Sequence, residues 1–255
     1  MPKVVEEIAA AISINQVNYA VMMITPDNIE DFVVGFLFSE SLIDHAHNVH
    51  DIEFDPHPLG LNINIKLSNR CMHTLAVKQR SLKGTSGCGI CGSQALEYAF
   101  PDIAELASST PYTIAQPQQF KQALKRHQLK AQASGALHAA FWLDQDNQVL
   151  ACREDIGRHN ALDKIIGVIK KQKCTNKELT QHALLVTSRC SAELIQKAVK
   201  IAVPTLISLA SPSTLAIRLA EQYKLNLIHI PKRDDLIYYP AKQPSISERI
   251  ITNDL

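Results

Sequence analysis

The chain has 255 residues, 46% hydrophobic and 20% charged, with 26 basic against 25 acidic side chains. That composition excludes a disordered, collagenous or fibrous-repeat chain, and the near-zero net charge argues against a general nucleic-acid binder. A chain of this length buries one large core or two smaller ones without help from disulfides.

At the N-terminus, Glu6 and Glu7 stand where a secretory signal has its apolar run, and nowhere do about 18 apolar residues follow one another. The expectation is a cytoplasmic protein with no membrane partner, whose six cysteines stay reduced. A strand is expected over residues 18–24, then a helix that Pro26-Asp27-Asn28 starts and that carries Ile29, Phe32, Val33, Phe36 and Leu37 at helical spacing. Residues 61–67 alternate apolar and polar with a period of two, which fits a half-buried strand.

Glycine is scarce, 9 in the whole chain, yet Gly84, Gly87, Gly89 and Gly92 fall in one short window that also holds Cys88 and Cys91. A helix is expected to follow over 93–100. No acidic residue lies between Asp55 and Glu97, while Lys66, Arg70, Lys78, Arg80 and Lys83 do, so the cysteine pair sits in a positive field that favours thiolate. Three readings compete for it: a zinc site, structural or deaminase-like, a dithiol oxidoreductase and a persulfide carrier. A structural zinc site needs four ligands, and Cys152, Cys174 and Cys190 do not supply a second pair at matching spacing. Zinc deaminase chemistry has its histidine before the cysteines and a glutamate two residues on; here His138-Ala139-Ala140 comes after them and lacks the acid. A dithiol oxidoreductase needs a rigid pair at a helix start, whereas a persulfide carrier needs a thiol that travels, which the glycine content suits.

Residues 111–117 form a polar, proline-flanked opening to a new segment, so a boundary is placed near 101–112. This divides the chain into an N-terminal α+β domain over 1–105, ending with the CxxC loop and its helix, and an α/β domain over 106–255. A dense polar run, residues 153–164, follows; Glu154 or Asp155 is expected to cap a helix beginning near Arg158, with Asp155, His159 and Asp163 sharing one face at spacings of four. A salt-bridged solvent face is the plain alternative. From residue 184 the pattern becomes strand, polar turn and helix: strands over 184–187, 205–210 and 225–230, with helices running to 199 and over 215–223. Such a βαβαβ order implies parallel strands, beyond whose carboxyl ends ligands bind and helix N-termini offer N–H groups to phosphate. Ser188, Arg189, Ser211, Ser213 and Thr214 would lie there. Helix capping accounts for the serines and threonine, though not for Arg189.

The segments GTSGCGICG, EDIGRHNALDKIIG, LLVTSRCSAELIQKA and VPTLISLASPSTLAIRLAE resemble, in order, the signatures of the formate dehydrogenase accessory family FdhD, the sulfur carriers. Upstream, MMITPDNIEDFVVGFLFSESLI is similar to that family's opening segment and GALHAAFW to its middle strand, so the likeness runs from about residue 20 to 240. The resemblance implies a C-terminal cytidine-deaminase-like α/β sandwich without zinc chemistry and with no structural metal, and a smaller N-terminal α+β domain. It implies that a cysteine desulfurase loads a persulfide on the CxxC loop, with Cys88 as carrier and Cys91 assisting. The sulfur then goes to the molybdenum or tungsten bis(guanine dinucleotide) cofactor of formate dehydrogenase. His159 would act in transfer. Arg158, Asn160, Ser188, Arg189, Ser211, Ser213 and Thr214 would bind the cofactor or a GDP-like nucleotide, as would the stretch Ile230, Pro231, Lys232, Arg233, Asp234 and Asp235, of which Lys232 or Arg233 would close the site. A homodimer is compatible with this reading. Two departures stand out: Ser86 replaces a usual threonine, and 230–235 lacks the family's glycine- and aromatic-bearing stretch. The alternatives are a dithiol–disulfide oxidoreductase and a non-enzymatic cofactor-binding chaperone.

Overall fold

A computed structural model describes residues 4–71, 103–107, 109–172, 174–233 and 236–239, and these form an α/β fold. In chain order the elements are β1 (Ile8–Ile14), β2 (Val17–Ile24), α1 (Ile29–Ser39), β3 (Val49–His57), β4 (Gly60–Leu67), α2 (Pro117–Lys125) and α3 (Leu129–Ser134). Then come β5 (His138–Leu143), β6 (Val149–Asp155), α4 (Arg158–Lys171), α5 (Asn176–Leu179), β7 (Ala183–Arg189), α6 (Ala192–Lys200), β8 (Thr205–Ala210), α7 (Thr214–Gln222), β9 (Asn226–His229) and β10 (Ile237–Tyr239). None of the described helices is long and apolar enough to cross a membrane.

Contacts divide the described residues into two compact units that interleave in sequence. The first takes those of Met1–Asp102, Gln122–Trp142 and Val149–Thr175; the second takes those of Ile103–Lys121, Leu143–Gln148 and Asn176–Leu255. This differs from a linear division at 105/106. The reason is α4, which packs along α1 and so belongs with the N-terminal elements.

In the first unit a four-stranded sheet has the order β2-β1-β4-β3. Strands β1 and β2 form an antiparallel hairpin whose two turn residues, Asn15 and Gln16, have φ of 46° and 67°. A two-residue turn with both φ positive matches the twist of the flanking strands, and asparagine adopts that conformation with little strain. Strand β1 then pairs in parallel with β4. Their alternate residues Ala10, Ile12, Ile14, Ile63, Ile65 and Leu67 are buried, as a period of two demands of a sheet with one face on a core. Helix α1 buries Phe32, Val33, Phe36 and Leu37, and α4 buries Ala161, Leu162, Ile165 and Ile166. The two helices touch backbone to backbone: a Cβ on Gly35 would overlap the carbonyl of Asp163, and one on Gly167 would overlap that of Asp31. Strands β5 and β6 lie side by side, and β6 leads directly into the loop before α4.

In the second unit β7, β8 and β9 are parallel in that order, and β10 closes the edge antiparallel to β9. The expected βαβαβ order is observed, with α6 and α7 as the crossovers. Leu184, Leu206 and Leu227 are fully buried in register across the three strands. Helix α7 starts at Ser213, whose Oγ accepts a hydrogen bond from the Ala216 N–H at 3.1 Å, so capping explains that serine.

Candidate functional site

Cys88, Cys91, the glycines around them and the helix expected over 93–100 lie outside the described residues, as do Asp234 and Asp235. Of the four remaining cysteines, Cys152 and Cys174 are half-buried. Cys190 is 1% exposed, and burial pushes its thiol up to about 12. Burial, reinforced by Glu154, does the same to Cys152 against the pull of Arg153. Cys71 is also buried. A thiol held protonated in an apolar setting is a poor nucleophile, so neither Cys152 nor Cys190 is suited to carry sulfur.

The polar run 153–164 falls in the first unit and sorts into a buried half and a half-buried one. Asp155 is fully buried at the end of β6. Its Oδ2 accepts from the Thr25 N–H at 3.0 Å and lies 2.7 Å from the Lys164 ammonium; its Oδ1 accepts from the Gly157 N–H at 2.8 Å and the Asn160 amide at 3.0 Å. Lys164, also fully buried, donates further to the carbonyls of Thr25 at 3.0 Å and Glu154 at 3.2 Å. Burial draws its ammonium below the ordinary lysine value, opposed by Asp155. A buried ion pair persists only when its remaining hydrogen-bonding capacity is filled, and here it is.

This corrects the expected helix face. Asp155 lies on a strand three residues before α4 and does not share a face with His159, while Asp163 accepts from the Ser39 hydroxyl at 2.6 Å. The capping expectation also changes. The N-cap of α4 is Gly157, without a side-chain cap, and Glu154 instead accepts from the backbone N–H groups of Lys130 at 3.1 Å and Ala131 at 2.7 Å, at the start of α3. Asn160 is 4% exposed, and its amide also donates to the Met23 carbonyl at 2.8 Å, which makes it an internal tie instead of a ligand-facing group. Arg158 and His159 are half-buried in the first turn of α4. Beside them stands His138, which sequence reasoning did not select; burial lowers its pKa, helped by the Arg158 charge and opposed by Asp155. Thr25 and Lys164 were likewise not singled out. The only sequence signal for them is a lysine among the core positions of an amphipathic helix.

In the second unit the loops after β7 and β8 meet: the Ser213 N–H donates to the Cys190 carbonyl at 3.0 Å, and Arg189 is in register with Ala210. Ser188, Arg189, Ser211, Ser213 and Thr214 are thereby gathered at the carboxyl ends of parallel strands, with Arg189, Ser211, Ser213 and Thr214 exposed and Ser188 buried. Ser188 Oγ donates to its neighbour's carbonyl, Arg189 O, at 3.0 Å. Beyond β9, Lys232 and Arg233 are exposed. Ile230 is 1% exposed, its side chain is core, and its N–H donates to the Ser208 carbonyl at 3.0 Å. The Pro231 carbonyl accepts from the Lys121 ammonium at 3.1 Å. Two α-helix starts, one cationic side chain from β7 and two more after β9 make this end of the sheet chemically suited to an anionic ligand.

Comparison with known proteins gives one consistent picture. The FdhD/NarQ family matches residues 5–245. A sulfur carrier protein FdhD of Cupriavidus necator is 38% identical over 242 residues, covering 94% of this chain and 83% of the relative. One from Bordetella bronchiseptica is 32% identical over 240 residues, covering 94% and 86%. A crystal structure described as that of a formate dehydrogenase accessory protein, from Desulfotalea psychrophila, superposes with a TM-score of 0.67 at 24% identity, covering 93% of this chain and 88% of the other. That likeness concerns the fold.

Proposed function

The chain belongs to the FdhD/NarQ family, and on that footing we propose that it is a sulfurtransferase acting as a sulfur carrier for formate dehydrogenase. The observation that carries the reading is the match to sulfur carrier proteins over 94% of the chain. In the first step the Cys88 thiolate attacks the outer sulfur of a cysteine desulfurase persulfide. The donor's S–S bond breaks, its cysteine leaves as thiolate, and a new S–S bond holds the sulfur on Cys88. Cys91 assists: its thiolate attacks the inner sulfur of the Cys88 persulfide, a Cys88–Cys91 disulfide forms, and the outer sulfur leaves at the sulfide level for the molybdenum or tungsten bis(guanine dinucleotide) cofactor, which is the substrate of the transfer. The buried, proton-holding state of Cys152 and Cys190 supports the assignment to the CxxC pair.

The substrate's guanine nucleotides are assigned to the second unit, phosphates toward Ser188, Arg189, Ser211, Ser213 and Thr214, with Lys232 and Arg233 beside them. Arg158 and His159, in the first unit, are assigned to sulfur transfer. Intact-mass measurement after incubation with a desulfurase and cysteine tests the carrier step. Wild type should gain sulfur, Cys88→Ala should not, and Cys71→Ala and Cys174→Ala should gain it normally. Loss of two protons without added sulfur would instead indicate a dithiol oxidoreductase. Full loading and client activation by Cys88→Ala would remove the mechanism.

A further inference from the structure

We infer that Ser208 and His229, at the carboxyl ends of β8 and β9, form a ligand-binding pair that receives a group with a hydrogen-bond donor beside an acceptor, as the edge of a nucleobase has. The inference rests on the nucleotide reading above and adds to it where the base is held.

Ser208 is fully buried, and among the described residues its hydroxyl has no hydrogen-bond partner. Native folds rarely leave such a group unmatched, because a desolvated hydroxyl loses its water without replacement. Beside it, His229 is 6% exposed, with Nδ1 3.1 Å from the Ser208 carbonyl oxygen. A carbonyl can only accept, so the neutral ring carries its proton on Nδ1 and leaves a lone pair on Nε2. Among the described residues, no hydrogen bond to Nε2 is found.

Ser208 and His229 are register partners on adjacent parallel strands, so their side chains leave the same face of the sheet. Strands lie about 4.8 Å apart, a spacing that a planar amide edge can bridge by donating to Nε2 and accepting from the serine hydroxyl. Val186, next in that row on β7, offers only methyl groups. The row thus holds one buried hydroxyl and one buried imidazole, with Ser208 two positions before Ala210, the register partner of Arg189.

The test pairs stability with binding, using guanosine and GDP as probes. Ser208→Ala removes an unbonded hydroxyl and no hydrogen bond, so the unliganded variant should unfold at a higher temperature than wild type, while binding both probes about tenfold more weakly in calorimetric titration. His229→Asn keeps an N–H for the Ser208 carbonyl but has no atom at Nε2, and it too should weaken both probes. Arg189→Ala should weaken GDP and leave guanosine, which has no phosphate, unchanged.

A lower unfolding temperature for Ser208→Ala means that the hydroxyl is already satisfied in the fold and overturns the pair, whatever the nucleotides do. Arg189-dependent GDP binding that neither Ser208→Ala nor His229→Asn alters overturns the pair and leaves the nucleotide reading standing. Guanosine binding that needs both residues, with GDP indifferent to Arg189, sustains the pair and overturns the phosphate placement. Failure of wild type to bind either probe overturns both.

Discussion

Asp155 accepts hydrogen bonds from two backbone N–H groups and one amide and pairs with a lysine, all inside the first unit. In a run as polar as 153–164, Asp155 is therefore a structural hub, and the residues proposed above for sulfur transfer, Arg158 and His159, follow it in the first turn of α4. Histidine titrates near neutrality and can move or stabilise a proton on sulfur. His159→Gln should unfold at the wild-type denaturant concentration yet deliver less sulfur to the client; normal delivery would make this a plain surface. In the second unit, Arg189 is exposed on the last residue of β7, where its planar fork suits a phosphate. A charge-assisted hydrogen bond contributes roughly 1.5–3 kcal/mol, so Arg189→Ala should weaken GDP by an order of magnitude or more in calorimetry, while unchanged affinity would sink the phosphate assignment.

At the scale of elements, the crossing of α1 and α4 holds the first unit's helices in place. Gly35 and Gly167 let the two backbones meet, and the surrounding polar groups lock the approach: Arg153 Nε donates to Asp31 at 2.8 Å, Lys171 pairs with the same carboxylate, and Ser39 bonds Asp163. A methyl group at either glycine meets backbone, which cannot move aside as a flexible side chain can. Gly167→Ala should therefore cost about 3 kcal/mol, the upper end of ordinary overpacking, read as a lower urea midpoint with unchanged slope. An alanine there that leaves the midpoint alone would mean that the helices slide without penalty. Because α4 carries Arg158 and His159 in its first turn, the same substitution should also disturb their placement.

For the whole molecule, the shifted groups define a stability window in pH. His138 and His182 have pKa values lowered by burial below the ordinary 6.5. Their depressed folded values mean that the unfolded chain binds protons first, so stability is complete above 6.5 and is lost as pH falls through the histidine range. Tyr19 and Tyr112 are shifted the other way, raised by burial first and then by Glu40 and Asp144 respectively, and the thiols of Cys152 and Cys190 rise to about 12. Groups raised in the fold stabilise it below their unfolded values, and that contribution declines as pH climbs above about 9 for the thiols and 10 for the tyrosines. Urea midpoints measured across pH should form a plateau between neutrality and about 9, and Tyr19→Phe with Tyr112→Phe should flatten the alkaline fall. A Tyr19→Phe, Tyr112→Phe double variant whose alkaline fall is as steep as that of wild type would contradict the tyrosine assignment.

Local periodicity was enough to read the elements whose apolar residues recur without interruption. The helix over 29–39, the alternating strand over 60–67 and the parallel order of β7, β8 and β9 are all legible in the chain, as are the serine cap of α7 and the isolation of Cys88 and Cys91 among glycines and cations. Strand β1 was not expected, because its Ala-rich sequence has weak strand propensity and becomes a strand through pairing with β2 and β4. What the chain alone could not assign was which polar residues face inward. Asp155, Asn160 and Lys164 look like neighbours of Arg158 and His159 in the sequence, but their partners Thr25 and Met23 are more than a hundred positions away. The same holds for Ile230, whose side chain is core, and for Ser208, whose hydroxyl has no partner among the described residues. Spacing along a chain reports which residues can share a face; only long-range packing decides which of those faces loses its water, and that loss is what turns a polar residue into a scaffold tie or into a site.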